Sequence, residues 1–353
     1  MLTTNVYFTE IDNAWDMKIS EHKFDIYHLS GWVNASSIVE EGRPQGIIAE
    51  YANKMFFLPI IKREINSEYW DAISPYGYGG PVIDALLTQV EVDIVLGAVK
   101  EFLANAGCVS VFARLNPILN QEWSSIIGTA VTHGFTLISD LSKTKEELWE
   151  ETQNQHRRGI KKALKMNIVA KVESFTEERI KTFSEIYRET MTKVGATEYY
   201  FFDDSYLDQL SANLNERLLL VTAYDDDKAV ASSIYTICKE SGIMQFYLGG
   251  TLNDYRNLQP SKLITHIARE WGQENGYDVL NLGSGLCGRA DSLYKYKKGF
   301  SSTELVFKTW RLIVNLEKYN QLVMDNATLT DVEMQSDYFP LYRNTLGHSE
   351  AVA

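Results

Sequence analysis

Three consecutive runs of strand-forming residues, 217–224, 229–238 and 243–249, are separated only by Asp225-Asp226-Asp227-Lys228 and Lys239-Glu240-Ser241-Gly242. Spacers this short join antiparallel neighbours, so the three runs predict a meander. A polar loop containing Arg256 and Pro260 follows, then an amphipathic helix over 261–275, Gly276, and a strand over 279–282. The order strand, loop, helix, strand makes the helix start face whatever lies beyond the end of the first strand. Free backbone N–H groups at such a start bind anions readily, although an ordinary crossover with no ligand has the same order.

The rest of the chain reads as mixed α/β. In the first half a strand is expected over 52–61, then the Gly/Tyr-rich turn Ser74-Pro75-Tyr76-Gly77-Tyr78-Gly79-Gly80-Pro81. An amphipathic helix over 87–104 carries Val90, Ile94, Ala98 and Phe102 at four-residue steps, with Gly107 just beyond it. A strand over 108–114, a helix over 122–132 and a short strand over 135–139 complete this half. Thr144 with Glu147 forms a capping box that opens a helix running to about Met166. A strand over 168–172 follows. A helix with Ile180, Phe183, Ile186, Tyr187, Met191 and Val194 on one face stops at Gly195, and a third helix spans 205–214. The length of 353 residues suggests two domains. These are placed at 1–140 and 141–320, with a partly helical, frayed tail over 321–353. No internal repeat is visible.

Composition narrows the function classes. The chain has 45% hydrophobic and 23% charged residues, in the range of ordinary globular proteins. No apolar run approaches the ~18 residues of a membrane-crossing helix, and the acidic N-terminal stretch does not read as a secretory signal. Three dispersed cysteines fit a reducing compartment, so the cytoplasm is the expected location. Cys108 and Cys238 lie in apolar strand-like runs where inert thiols are usual, which leaves Cys287 as the plausible reactive one. The six histidines show no metal-ligand spacing and no GxSxG elbow appears, so no metal site is expected. With 34 Lys+Arg against 47 Asp+Glu the net charge is −13, which argues against non-specific coating of nucleic acid.

Locally the sign reverses. Six Lys/Arg and no acid lie between Gln155 and Lys171, and Arg158, Lys161, Lys162 and Lys165 are spaced to share one helix face. Such a face either binds phosphate or is a solvated complement to the helix dipole. A second cationic stretch, Tyr294-Lys295-Tyr296-Lys297-Lys298-Gly299-Phe300, is either a site segment or a surface loop of solvated lysines. Gly283-Ser284-Gly285 lacks a nucleotide-loop pattern and reads as a tight strand exit. Tyr76, Gly77, Tyr78 and Gly79 suit a sugar or peptide groove, or simply close a turn.

Taken in order, SPYGYGGP, Arg157-Arg158-Gly159-Ile160-Lys161-Lys162-Ala163, Tyr247-Leu248-Gly249-Gly250-Thr251, Asn281-Leu282-Gly283-Ser284-Gly285 and Ser292 to Phe300 resemble the FemAB-related branch of the GNAT-type N-acyltransferases. This branch includes the Fem-type aminoacyltransferases that build peptidoglycan bridges. The resemblance implies two GNAT-like lobes, each a mixed, mostly antiparallel twisted sheet flanked by helices. It also implies transfer of an acyl or aminoacyl group to an amine, through a tetrahedral intermediate and without a tightly bound cofactor. The donor would be aminoacyl-tRNA or acyl-CoA, and the acceptor an amine, nucleotide- or lipid-linked, such as a cell-envelope precursor. Tyr296 and Lys297 match the aromatic–lysine pair of Fem-type enzymes, which makes Lys297 the candidate for the oxyanion. Tyr247, Tyr255 and Arg256 would shape the donor side, Arg158 and Lys162 would bind phosphate, and Tyr76 and Tyr78 would line a groove between lobes. Asp203 and Asp204 are nearby carboxylates for a general base. One departure stands out: the usual Gln/Arg-x-x-Gly-x-Gly/Ala loop is here Arg256-Asn257-Leu258-Gln259-Pro260-Ser261, which weakens an acetyl-CoA reading. Two rival readings are an acyl-CoA-dependent N-acyltransferase on a small molecule and a non-catalytic binding module on the same scaffold.

Overall fold

The meander and the crossover helix organise the chain as the strand pattern requires. In the computed structural model, residues 3–197, 200–202, 204–326, 329 and 337–344 are described. The first elements are β1 (Asn5–Thr9), α1 (Asn13–Ile19), α2 (Ser30–Val39), β2 (Arg43–Tyr51), β3 (Lys54–Glu64), β4 (Trp70–Ile73), β5 (Val82–Ile83), α3 (Gln89–Asn105), β6 (Cys108–Arg114) and β7 (Thr129–Asp140). There follow α4 (Lys145–Glu151), α5 (Asn154–Lys165), β8 (Val169–Ser174), α6 (Glu177–Val194), α7 (Asp204–Leu214), β9 (Leu218–Asp225), β10 (Lys228–Cys238) and β11 (Ile243–Thr251). The chain ends with α8 (Pro260–Glu274), β12 (Val279–Gly283), α9 (Ser292–Lys298), β13 (Thr303–Ile313) and α10 (Leu316–Asp325). Two compact units result, Met1–Gly134 with Val306–Ala353, and Phe135–Leu305. The second lobe was expected to run to 320, but β13 and α10 belong mainly to the first unit.

In the first unit the strand order is β1-β2-β3-β4-β6-β13. All neighbours are antiparallel except β4 and β6, which α3 connects as a crossover. The expected strand at 52–61 starts two residues late, because Ala52 and Asn53 take positive φ (51° and 60°) and form the β2–β3 turn. Helix α3 opens on the Thr88–Glu91 capping box. It buries Val92, Val95, Leu96, Val99 and Leu103 against the sheet, while Val90 and Ile94 are 69% and 44% exposed. The four-residue steps chosen from sequence drift ~40° per step around a helix, so they leave the buried face that the mixed three- and four-residue spacing follows.

No helix forms at 122–132. The Asp93 carboxylate accepts from the Ser125 hydroxyl (2.7 Å) and the Ile126 N–H (3.1 Å), and Trp310 Nε1 donates to the Ile127 carbonyl (2.8 Å). Gly128, at φ 78°, sits where a Cβ would lie 2.5 Å from Trp310 Nε1, and β7 starts directly after it. The described part of the tail is packed rather than frayed. Phe339 stacks on Phe112, and the Tyr342 hydroxyl bonds Ser110 (2.8 Å) and Asp71 (2.9 Å).

In the second unit the order is β8-β9-β10-β11-β12-β7. Again one pair is parallel, β11 with β12, and α8 is its crossover. The two units thus repeat one strand pattern, although no repeat shows in the sequence. The core gathers Ile160, Ala163, Tyr235, Leu263, Ile264, Ala268, Leu280 and Phe300. The single helix expected from Thr144 to Met166 is two helices. The Thr144–Glu147 capping box is present, but the Gln153 N–H leaves the helical ladder to bond the Gly299 carbonyl (2.8 Å). Arg269, fully buried, ties the break by donating to Thr152 Oγ1 (2.7 Å) and Ser139 Oγ (2.9 Å).

Candidate functional site

Strands β11 and β12 pair only from Ile243–Val279 to Gln245–Asn281, yet β11 continues to Thr251. The two strands therefore part, and the outer half of β11 has no β12 partner. Asn281 pins the point of separation. Its Nδ2 donates to Gln245 Oε1 (2.9 Å), and its Oδ1 accepts from Thr136 Oγ1 (2.8 Å) and the Gly283 N–H (2.8 Å). On the other side of β11 the register with β10 shifts at Ile234/Tyr235, so that Tyr247 is the extra, bulged residue.

The residues that the sequence placed in a possible surface loop form helix α9, capped by Asp291, whose carboxylate accepts from the Tyr294 N–H (2.8 Å). The helix turns Lys297 inward, where it is only 8% exposed. Its Nζ donates to the Ser284 carbonyl (2.7 Å) and lies 5.4 Å from the Phe246 ring centroid. Gly283 takes φ 82°, a left-handed conformation that favours glycine, and a Cβ there would also approach Nζ to 2.8 Å. Burial pushes the Lys297 amine down to about 7, with Asp291 partly offsetting the effect. Lys297 is thus not one of the solvated lysines that a surface loop would hold.

Tyr296 points toward the start of α8. Its hydroxyl is 3.2 Å from Thr265 Oγ1, and its ring packs against both His156 and Phe300, at 5.4 and 5.6 Å. Nε2 of His156 bonds the Tyr296 carbonyl (2.9 Å), while the buried Nδ1 has no partner among the described residues. Burial, with Lys262 nearby, lowers His156 to about 4, so the ring is neutral at pH 7. The His156 ring fits against Gly299, where a Cβ would come within 2.3 Å.

The start of α8 differs from its counterpart in the first unit. Helix α3 is closed by the Thr88–Glu91 box and the Lys54–Glu91 ion pair (2.7 Å). Helix α8 has no side-chain cap, begins with Pro260, and is entered through Gln259 in the left-handed region (φ 63°). Lys262, in its first turn, is buried, and its ammonium has no hydrogen-bond or ion-pair partner among the described residues. Burial lowers its pKa. Helix α5 packs on this turn at Gly159, where a Cβ would meet Lys262 Cδ at 2.7 Å. An uncapped helix start with a partly desolvated, unpaired ammonium is suited to phosphate. Lys262 and His156 were missed from sequence. The position of Lys262 two residues after Pro260, at the expected helix start, was the available signal.

The other candidates are distributed more widely. Tyr247 bonds Tyr206 hydroxyl to hydroxyl (2.5 Å), and Tyr255 lies under Lys228 Nζ (4.9 Å). Arg256, Arg158 and Lys162 are exposed. Tyr76 and Tyr78 belong to the first unit, where Trp32 Nε1 holds the Tyr76 carbonyl (2.8 Å) and Tyr78 meets Phe307 edge-on. Asp203 and the side chains of Asp204 and Cys287 lie outside the described residues. Cys108 and Cys238 are buried. Among the described residues no group of three His, Cys, Asp or Glu could hold a metal ion, and no helix is long and apolar enough to cross a membrane.

This geometry can be set beside known proteins. Residues 150–298, which hold α5, the splayed strands, α8 and α9, match the family model described as Acetyltransferase (GNAT) domain. No curated protein sequence matches the chain significantly. Among solved structures FemX is similar with a TM-score of 0.68 at 13% identity, over 89% of this chain and 99% of that one. L-PGS from Bacillus licheniformis gives 0.52 at 14% identity, over 87% and 93%. The C-terminal domain assigned to a lysylphosphatidylglycerol synthetase of Agrobacterium fabrum gives 0.54 at 13%, over 89% and 96%. The chain therefore has a FemAB-related GNAT-type fold.

Proposed function

We propose that the second unit moves an acyl or aminoacyl group from a phosphate-bearing activated donor to an amine. The observation that carries this reading is the buried Lys297 at the parting of β11 and β12, with the uncapped α8 and its unpartnered Lys262 in the same unit. The donor phosphates would lie at the α8 start, met by the Ser261 N–H and the Lys262 ammonium. The GNAT match supports an acyl-CoA thioester as donor. The Fem-type resemblance and the absence of the usual glycines at Gln259 and Ser261 favour an aminoacyl ester of tRNA. The acceptor we assign is the amine of a nucleotide- or lipid-linked cell-envelope precursor.

In the reaction the acceptor nitrogen adds to the carbonyl carbon, and the negative charge of the tetrahedral intermediate falls on the former carbonyl oxygen. Collapse breaks the C–S or C–O bond, and the proton lost by the amine ends on the departing thiolate or alkoxide. Protonated Lys297 would stabilise the oxyanion, an effect worth a few kcal/mol in a desolvated site. With its pKa near 7, this residue reaches the required charged form at neutral pH without a large penalty. Tyr296, Tyr247, Tyr255 and Arg256 would shape the donor side, and Arg158 and Lys162 would contact phosphate.

The test is donor-dependent protection from thermal unfolding, with CoA and aminoacyl-tRNA as separate probes, followed by transfer assays. Lys262→Met should abolish protection by the productive donor. Lys297→Met should keep that protection and lower kcat by about 10²–10³. Unchanged kcat in Lys297→Met would sink the catalytic assignment and leave a binding module.

A further inference from the structure

Helix α5 carries a face that the transfer chemistry uses only in part, through Arg158 and Lys162. Its buried side, His156, Gly159, Ile160 and Ala163, packs into the second unit. On the opposite side Arg158, Lys161, Lys162 and Lys165 are exposed, and none forms an ion pair among the described residues. Six Lys/Arg without a single acid between Gln155 and Lys171 reverse the sign of a chain whose net charge is −13. Apolar side chains flank this stripe. At 100° per residue Leu164 lies on one side of it and Met166, at the helix end, on the other. They are 54% and 48% exposed, and Val169, at the start of the edge strand β8, is 53% exposed.

A solvated face that only completes a helix dipole has no use for Leu, Met and Val beside its lysines. A nucleic-acid face would carry stacking aromatics, whereas the aromatic next to this stripe, Trp149, lies under Lys161 (5.7 Å). Bases framing exposed aliphatic side chains are the composition of a helix that lies in a bilayer interface, with ammonium groups at anionic headgroups and aliphatic groups below them. We propose that the outer face of α5, with the start of β8, docks on the surface of an anionic phospholipid bilayer. The docking is peripheral. The negative remainder of the chain keeps it weak and salt-sensitive, so that a lipid-linked acceptor would be met at the membrane surface without an embedded segment.

Co-sedimentation of the full chain with vesicles tests this, comparing pure phosphatidylcholine with vesicles containing about 30 mol% phosphatidylglycerol. The protein should pellet with the anionic vesicles alone and be released at about 0.5 M salt. The double variant Lys161→Gln/Lys165→Gln should bind roughly thirtyfold more weakly, from two lost headgroup contacts. Leu164→Ser/Met166→Ser should bind about tenfold more weakly, with an unchanged unfolding midpoint because both side chains are half exposed. Failure of the wild type to pellet with anionic vesicles overturns the proposal. So does wild-type binding by Leu164→Ser/Met166→Ser. Retention of a tRNA probe that Lys161→Gln/Lys165→Gln abolishes, with vesicles leaving the protein in solution, assigns the face to nucleic acid and equally overturns it. None of these readouts depends on transfer activity.

Discussion

Replacing Lys297 by Met removes a buried amine that the fold holds at a cost. An ordinary lysine titrates at 10.5 and Lys297 at about 7, so below pH 7 the unfolded chain is charged where the folded chain resists charging. At 1.36 kcal/mol per pH unit the difference is about 5 kcal/mol, the most this residue can take from stability. The sign follows from the lowered folded value. The penalty is full below pH 7, shrinks as pH rises from 7 toward 10.5, and disappears above it. Met also loses the bond to the Ser284 carbonyl, worth about 1–2 kcal/mol. Lys297→Met should therefore be more stable than the wild type by about 3 kcal/mol at pH 6, which is roughly 6–12 °C in the midpoint of a unit this size. The advantage should be largely gone by pH 9 and reversed by pH 10.5. Thermal unfolding of both proteins across pH 6–10.5, followed by circular dichroism, reads the difference directly. A difference that does not change with pH, or a variant less stable at every pH, would refute a desolvated amine and point to a permanently charged, paired one.

Two further substitutions separate support from function. Gly159→Ala places a methyl 2.7 Å from Lys262 Cδ and 3.3 Å from Nζ, the far end of a flexible side chain. The helix should keep its stability within about 1 kcal/mol, while the displaced ammonium raises the donor KM about tenfold in steady-state assays; an unchanged KM would dissociate Lys262 from the donor. Arg269→Ala strips the partners of Ser139 and Thr152 and leaves Glu151 with one cation fewer, so urea unfolding should show a loss of about 3–5 kcal/mol. A loss under 1 kcal/mol would show that the α4–α5 break holds without it.

Local signals were the legible ones. The capping box at Thr144, the stop of α6 at Gly195 in the left-handed region, and the β9–β11 meander all depend on neighbours within a few residues, and each is where the pattern put it. What escaped was decided by distant partners. The Gly299 carbonyl breaks the helix expected through Gln153, and Asp93 with Trp310 draws 122–128 out of helix. The duplicated strand pattern escaped because a sheet preserves pairing and burial rather than residue identity. At the site, resemblance singled out Tyr296 and Lys297, but the burial that sets the Lys297 proton depends on Gly283 and Phe246, far apart in the chain. Lys262 looked like any helix lysine until Gly159 brought α5 against it.

The origin of the sixth strand in each unit has a consequence for synthesis on the ribosome. The first unit's sheet is completed by β13, which pairs Thr309–Ile313 with Arg114–Ser110, yet the 171 residues Phe135–Leu305 are made between them. At ~5–20 residues per second, β6 emerges roughly 9–38 s before the strand that covers its edge. During that interval the nascent chain displays an apolar, unpaired strand, a template for association with other chains. A fragment ending near residue 140 would keep that edge permanently. The N-terminal unit is first to be made and among the last to be finished, and any attempt to produce it alone must carry the β13 segment along.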